Sequence, residues 1–279
     1  ESMQRYKADP EKPIRLKKLD ANDLGDWDGK KKAARKVFAD LQKELAELQE
    51  VLYAEQKQKV LIILQAMDSG GKDGTIRSLL EKVNPQGVKI ANFKVPTPIE
   101  LAHDYLWRVH PKVPARGEIV IFNRSQYEDV LVVRVHELVS KEVWKKRYEQ
   151  INAFEKMLAE EGTTILKFYL HINLEEQKQR FLERLTDPKK QWKFNPGDLE
   201  ERKLWDAYQA AYQDVLNKTS TPWAPWYAIP ANHNWYRNLC VGSIIVETLK
   251  SLKLKYPEPI PDPETYVQAL ENEGKEKQE

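Results

Sequence analysis

A short apolar run, residues 59–65, breaks directly into the glycine-rich turn Ala66-Met-Asp-Ser-Gly-Gly-Lys-Asp-Gly-Thr75, and a helical pattern continues from the turn to about Val83. An apolar run of this length with no polar alternation reads as a strand buried on both faces, which requires cover on both sides. Gly70, Gly71 and Gly74 let the backbone curl so that successive N–H groups point inward, and the helix N-terminus adds partial positive charge. Against the phosphate-loop pattern G-x-x-x-x-G-K-S/T, Gly71 and Lys72 match, while Ala66 replaces the first glycine and Asp73 the hydroxyl residue. The expectation is a phosphate-binding loop made of Ser69, Gly70, Gly71, Lys72, Asp73, Gly74 and Thr75. Two carboxylates flank it. Asp73 stands where a hydroxyl would normally reach Mg2+, or simply stabilises the helix start. Asp68 reads as a metal ligand or general base.

Strands and helices alternate along the rest of the chain. Apolar spacing at Ala34, Val37, Phe38, Leu41, Leu45, Leu48 and Leu52 predicts one helical stripe over residues 32–55. Further strands are expected over 88–95, 118–122, 163–171 and 226–229, and helices over 99–109, 141–160, 174–185, 199–216 and 238–252. Such alternation implies an α/β fold, a parallel sheet with helices on both faces. Residues 1–29 read as an extended polar arm, 30–255 as the domain, and 256–279, rich in Pro and Glu, as a mostly irregular tail. Glu1 and Ser2, ahead of Met3, read as a cloning remnant.

The strand at 118–122 runs into Asn123-Arg-Ser-Gln-Tyr-Glu-Asp-Val-Leu131. Carboxyl ends of parallel strands line the ligand crevice, which places Asn123 and Arg124 beside the phosphate loop. An arginine there can neutralise charge on a transferring phosphoryl group; the competing role is an i,i+4 ion pair with Glu128. Glu128 and Asp129 are acidic candidates for nucleotide or metal contacts.

Asp68-Ser-Gly-Gly-Lys-Asp-Gly74 and Asn123-Arg-Ser-Gln-Tyr-Glu-Asp-Val130 resemble the two signatures of the family-2 polyphosphate kinases. Arg184, Trp192-Lys-Phe194 and Asp198 resemble that family's lid, and Trp235-Tyr-Arg237 its C-terminal segment, so the likeness spans about residues 30–255. It implies a P-loop kinase-like three-layer fold with a helical lid at about 180–200. It also implies Mg2+-dependent phosphoryl transfer (Mn2+ is the alternative ion) between polyphosphate and a nucleotide, by a homo-oligomer, dimer or tetramer. Asn123 departs from the Asp-Arg-Ser of many members and resembles the class III subgroup, which uses both AMP and ADP. Asparagine is the weaker metal ligand, which passes the carboxylate role to Asp68 and Asp129. The catalytic set implied is Asp68, Lys72, Arg124 and Arg184.

Residues 187–197 break the helical pattern with Pro188 and Pro196 and carry Lys189, Lys190 and Lys193. A basic run is by default a solvated face; in a mobile lid it becomes a clamp for a polyanion. Trp192 and Phe194 could stack on adenine or pack the closed lid.

Net charge is only +2, which argues against nucleic acid as a partner. A single cysteine, Cys240, excludes an intramolecular disulfide, and the five histidines lack ligand spacing. No run of about 18 apolar residues predicts a membrane span. A cytoplasmic, soluble enzyme is expected. The runner-up function is an ATP-dependent nucleoside monophosphate kinase, which would share loop and lid.

Overall fold

Five strands in the computed structural model, which describes residues 2–273, form one wholly parallel sheet in the order β2-β3-β1-β4-β5. They are β1 Lys59–Ala66, β2 Val88–Asn92, β3 Glu118–Asn123, β4 Thr163–His171 and β5 Trp226–Pro230. The helices are α1 Lys31–Glu55, α2 Lys72–Leu80, α3 Pro98–Leu101, α4 Val132–Val135, α5 Lys141–Glu160, α6 Leu174–Thr186, α7 Gly197–Lys203, α8 Trp205–Thr219, α9 Asn234–Ser251 and α10 Pro263–Asn272. The expected α/β architecture is therefore present. Val60 to Ala66 are all buried, as a central strand covered by helices on both faces requires. α1, α2 and α9 pack together, as do α5 and α8.

The chain leaves β1 toward β2 but leaves β3 toward β4, so the connections diverge between β1 and β3. That divergence opens a crevice beyond the strands' carboxyl ends. Leu64 pairs with Asn123 across it.

Several elements differ from the sequence reading, each for a local reason. The buried stripe of α1 is Ala34, Phe38, Gln42, Leu45, Gln49 and Leu52, whereas Val37 is exposed. The two glutamines earn burial by donating to the carbonyls of Ser78 (2.6 Å) and Gln86 (2.7 Å). The helix expected over 99–109 stops at Leu101. A Thr97–Glu100 capping box starts it, but the Asp104 carboxylate accepts from the Leu106 N–H and diverts the chain into turns. The helix expected over 199–216 is two helices divided at Leu204, where Arg202 reaches across to the Leu174 carbonyl and Gln177 of α6.

The N-terminal arm is docked rather than simply extended. Ala8, Leu16 and Ala21 are buried, and the Ala8 N–H bonds to the Trp226 carbonyl at 2.8 Å beside β5. The tail, expected to be irregular, contains α10, which starts with proline at its first position and buries no residue. Residues 274–279 of that tail lie outside the described residues. No helix among the described residues is long and apolar enough to cross a membrane.

Under the segment that follows β3 lies an entirely buried ionic group. Lys167 of β4 donates to Glu155 of α5 at 2.7 Å, to the Tyr127 hydroxyl at 2.6 Å and to the Thr219 carbonyl at 2.7 Å. Tyr127 in turn donates to Glu155. Burial pushes the glutamate pKa up and the lysine pKa down, and their mutual attraction opposes both. Removing one partner leaves a buried charge without compensation. Lys167→Met should cost about 3–5 kcal/mol in denaturant unfolding. Adding Glu155→Leu should recover most of that loss; a double variant as unstable as the single would show that the charge pair is not the source.

Candidate active site

The loop after β1 is shaped by contacts that leave no room for side chains. A Cβ at Gly70 would lie 2.4 Å from the Ala66 Cβ, and one at Gly71 would lie 2.1 Å from an Arg237 guanidinium nitrogen. Gly71 also sits at φ 95° as the N-cap of α2, and Ser69 at φ 60°. Ala66 at the expected first-glycine position is thus part of the packing, and its carbonyl accepts from the Tyr212 hydroxyl at 2.8 Å. Behind the loop, α6 holds the backbone: Gln177 donates to the Asp68 carbonyl at 3.0 Å and Arg180 to the Ser69 carbonyl at 2.9 Å.

Lys72 opens α2 with no hydrogen bond or ion pair to protein. Burial lowers its pKa first, and Arg124 adds to the effect. Asp68 faces it. Burial raises the Asp68 pKa, Lys72 opposes the rise, and Asp198 of α7 reinforces it. Asp73 accepts from the Asn123 amide at 2.8 Å, which joins the start of α2 to the end of β3.

Arg124 adopts the left-handed region, φ 62°, while its N–H still bonds to the Leu64 carbonyl at 3.1 Å. Such backbone in a residue with a Cβ is costly, and it is held here at the mouth of a crevice. Its guanidinium lies between Asp68 at 4.0 Å and Glu128 at 3.9 Å. Burial works against its charge, but Glu128 and Asp68 outweigh burial and lift the pKa above the ordinary value. Glu128 is steadied by Gln65, which donates to it at 3.2 Å and accepts from Ser125 at 2.8 Å. Phosphate oxygens entering this crevice would meet the N-terminus of α2, the Lys72 ammonium and the fork-shaped cation of Arg124.

The fold thus brings Asp68, Ser69, Gly70, Gly71, Lys72, Asp73, Gly74, Asn123, Arg124 and Glu128 together. Thr75 is placed differently: its buried hydroxyl donates to the Gly71 carbonyl at 2.8 Å and so serves the helix. Asp129 is not gathered with Asp68. It is buried against Arg147 at 3.6 Å, and burial raises its pKa to about 6 against the pull of Arg147 and Arg108. Among the described residues no three His, Cys, Asp or Glu side chains assemble a metal cage. Asp68 alone fits the sparse protein share of a Mg2+ site, since that ion keeps water and substrate phosphates as its other ligands.

In the segment expected to be a lid, the Arg184 guanidinium lies 6.0 Å from the Phe181 ring centre and makes no hydrogen bond or ion pair among the described residues, while Arg180 one turn earlier holds the loop. Lys190 pairs with Asp187 at 3.7 Å; the Lys189 backbone N–H also donates to Asp187, at 3.0 Å, but its ammonium has no ion pair among the described residues. Lys193 sits over Trp192, which is 78% exposed, whereas Phe194 packs edge-on against Phe181. Sequence reasoning gave neither Gln177 nor Arg180 a role at the loop. Nothing in their local pattern announces contact with a loop 109 or 111 positions away.

The chain matches the family described as Polyphosphate kinase 2 over residues 28–257. It is 58% identical to the AMP/ADP-polyphosphate phosphotransferase of Meiothermus ruber, covering 92% of this chain and 96% of that one. It is 43% identical to the ADP-polyphosphate phosphotransferase of Rhodopseudomonas palustris, covering 90% and 93%. The crystal structure of Polyphosphate Kinase 2 from Arthrobacter aurescens superposes with a TM-score of 0.89 at 41% identity, covering 92% of this chain and 93% of that one.

Asp68→Asn tests the electrostatics of the crevice. A carboxylate whose folded pKa is raised destabilises the fold above that pKa, and the penalty fades as pH falls below the ordinary carboxylate value. Asparagine escapes the penalty. The variant should therefore melt roughly 2–4 °C higher at pH 8, with the gain shrinking toward pH 4, while turnover falls about 10²-fold or more. A lower melting temperature at pH 8 would show that Lys72 and Arg124 need Asp68 more than burial opposes it.

Proposed function

The chain belongs to the polyphosphate kinase 2 family, and we propose that it is a phosphotransferase that moves a phosphoryl group between inorganic polyphosphate and AMP or ADP, giving ADP or ATP. The observation that carries this reading is Lys72, unpaired at the start of α2 and facing Arg124 across the crevice between β1 and β3. A polyphosphate donor is supported by family membership and by the relatives' names.

In this reading the loop N–H groups and Lys72 hold phosphate oxygens, which lowers the repulsion between two polyanionic substrates. Arg124 meets the charge that spreads over the phosphoryl oxygens as it transfers. Asp68 orients the acceptor phosphate or takes its proton, a task suited to a carboxylate whose pKa is raised. Mg2+, held by Asp68 and the phosphates, would supply charge neutralisation, and Mn2+ the same chemistry. Closure of the lid over residues 180–200 excludes water, and Arg184, Lys189, Lys190 and Lys193 bind the polymer. The remaining expectations, a kinase domain over 30–255, a homo-oligomer and a cytoplasmic location, belong to the same proposal.

The decisive experiment supplies AMP or ADP with polyphosphate and Mg2+ and omits ATP. ATP should accumulate from ADP, and ADP then ATP from AMP. Product formed only when ATP is the donor would turn the reading to an ATP-dependent nucleoside monophosphate kinase.

The lid cations yield a separate expectation. A long polyanion gains from several contacts and releases counterions as it binds, by analogy with nucleic-acid backbones. Lys189→Gln with Lys193→Gln should raise KM for long-chain polyphosphate roughly tenfold, leave the nucleotide KM within about twofold, and flatten the salt dependence of polymer binding. Unchanged values for both substrates would make these lysines solubilising only.

A further inference from the structure

Arg237 in the first turn of α9 is a charge that the protein alone does not balance. It is 3% exposed, yet its guanidinium bonds only to neutral amides, the Asn234 oxygen at 3.0 Å and the Asn238 oxygen at 3.2 and 3.0 Å. Among the described residues no carboxylate lies within ion-pair distance of it. Its charged neighbour is Arg180, itself matched by Glu176 at 3.0 Å. Burial, with Arg180 acting in the same direction, lowers the Arg237 pKa to about 9.

Position makes the imbalance worse. A cation in the first turn of α9 opposes that helix's dipole, whose N-terminal end is already positive. The same guanidinium presses on the N-terminus of α2, where a Cβ on Gly71 would meet it at 2.1 Å and one on Gly74 at 3.5 Å. A second observation points the same way. The Ser69 hydroxyl, in the same loop, is buried without a hydrogen-bond partner. A desolvated cation without an anion is costly, and a loop built to receive an anion is the one feature beside it.

We propose that Arg237 is a positioning residue of the phosphate loop, a charge held behind Gly71 and Gly74 whose counter-ion is the phosphoryl group that the loop binds. The anion completes an electrostatic group that the free protein leaves unbalanced. Because the charge sits behind the backbone, water does not screen it, and its attraction is retained at salt concentrations that weaken the exposed lid lysines. The inference rests on the phosphate-loop reading, and does not depend on which phosphate donor the enzyme uses.

The test measures binding rather than turnover, so failure here is distinguishable from failure of the polyphosphate assay. The probes are tripolyphosphate and ADP, each titrated by calorimetry and by thermal shift without the second substrate. Arg237→Met should weaken binding of at least one probe about 10- to 100-fold while leaving the free protein as stable as wild type or more so. Which probe is affected tells whether the loop takes polymer or nucleotide phosphate. Asn238→Asp is the second variant, for the case that Arg237→Met does not fold. It keeps the arginine and supplies an internal carboxylate, so it should raise the melting temperature of the free protein and weaken the same probe about tenfold. Wild-type affinity for both probes in Asn238→Asp, or in a folded Arg237→Met, would overturn the proposal and make Arg237 a packing residue.

Discussion

Positive charge at the carboxyl end of β1 that acids face without engaging it in hydrogen bonds governs how the phosphate loop and its surroundings are arranged. Lys72 has no protein partner, Arg237 has only amide oxygens, and the inward backbone of the loop adds the field of a helix N-terminus. Such a group would repel itself apart or draw in acids if the backbone were free to move. It is held instead by anchors on the backbone: Gln177 on the Asp68 carbonyl, Arg180, its own charge matched by Glu176, on the Ser69 carbonyl, and Tyr212 on the Ala66 carbonyl. Each anchor bonds to backbone rather than to the functional side chains, so geometry is secured without consuming the charge that a phosphate needs. Preorganisation of this kind leaves little reorganisation for the moment of transfer.

The acids that are present are arranged to limit the field without cancelling it. Asp68 and Glu128 stand at 4.0 and 3.9 Å from the Arg124 guanidinium, beyond hydrogen-bond length. They keep Arg124 charged while leaving its N–H donors for a ligand. Asp198 of α7 acts on Asp68 as a like charge and favours its protonated form. The buried Lys167–Glu155–Tyr127 group is the opposite case. Its charges are consumed internally, and it braces the segment from which Glu128 projects.

What could be read in the sequence follows the range over which each residue acts. The strand, the loop and Lys72 are contiguous, and their physics is local, so 59–83 announces itself. Asn123 and Arg124 were legible because parallel strands end on one side of a sheet, a rule that converts strand position into proximity. Thr75 and Asp129 were misplaced for one reason: a motif position shows that a polar group is near, but not where its bond points. The Thr75 hydroxyl turns back to Gly71, and Asp129 turns to Arg147 on α5. Arg237 was visible only as part of a family-like segment. Its relation to Gly71 is created by α9 crossing α2, and no local pattern encodes a crossing. The glutamines of α1 show the same limit in the core, since Gln42 and Gln49 face inward only because distant carbonyls await them.

The two sets of cations at this site answer different demands, and their burial shows which is which. Lys189 and Lys193 lie on an exposed, irregular stretch, where each contact with an anion is worth little and is screened by salt. In the proposed function many such contacts suit a polymeric donor, because no single register is favoured strongly. Arg237 lies buried behind the loop that Arg180 anchors, where water is excluded and attraction is undiluted. Strong, localised attraction suits the one phosphoryl group that must be held still for in-line attack. A chain that bound its polymer with buried charges would hold it too tightly to advance. One that held the reacting group with exposed lysines would position it too loosely to react. A soft outer clamp and a hard inner cradle are the division that the proposed function asks of these two sets of cations.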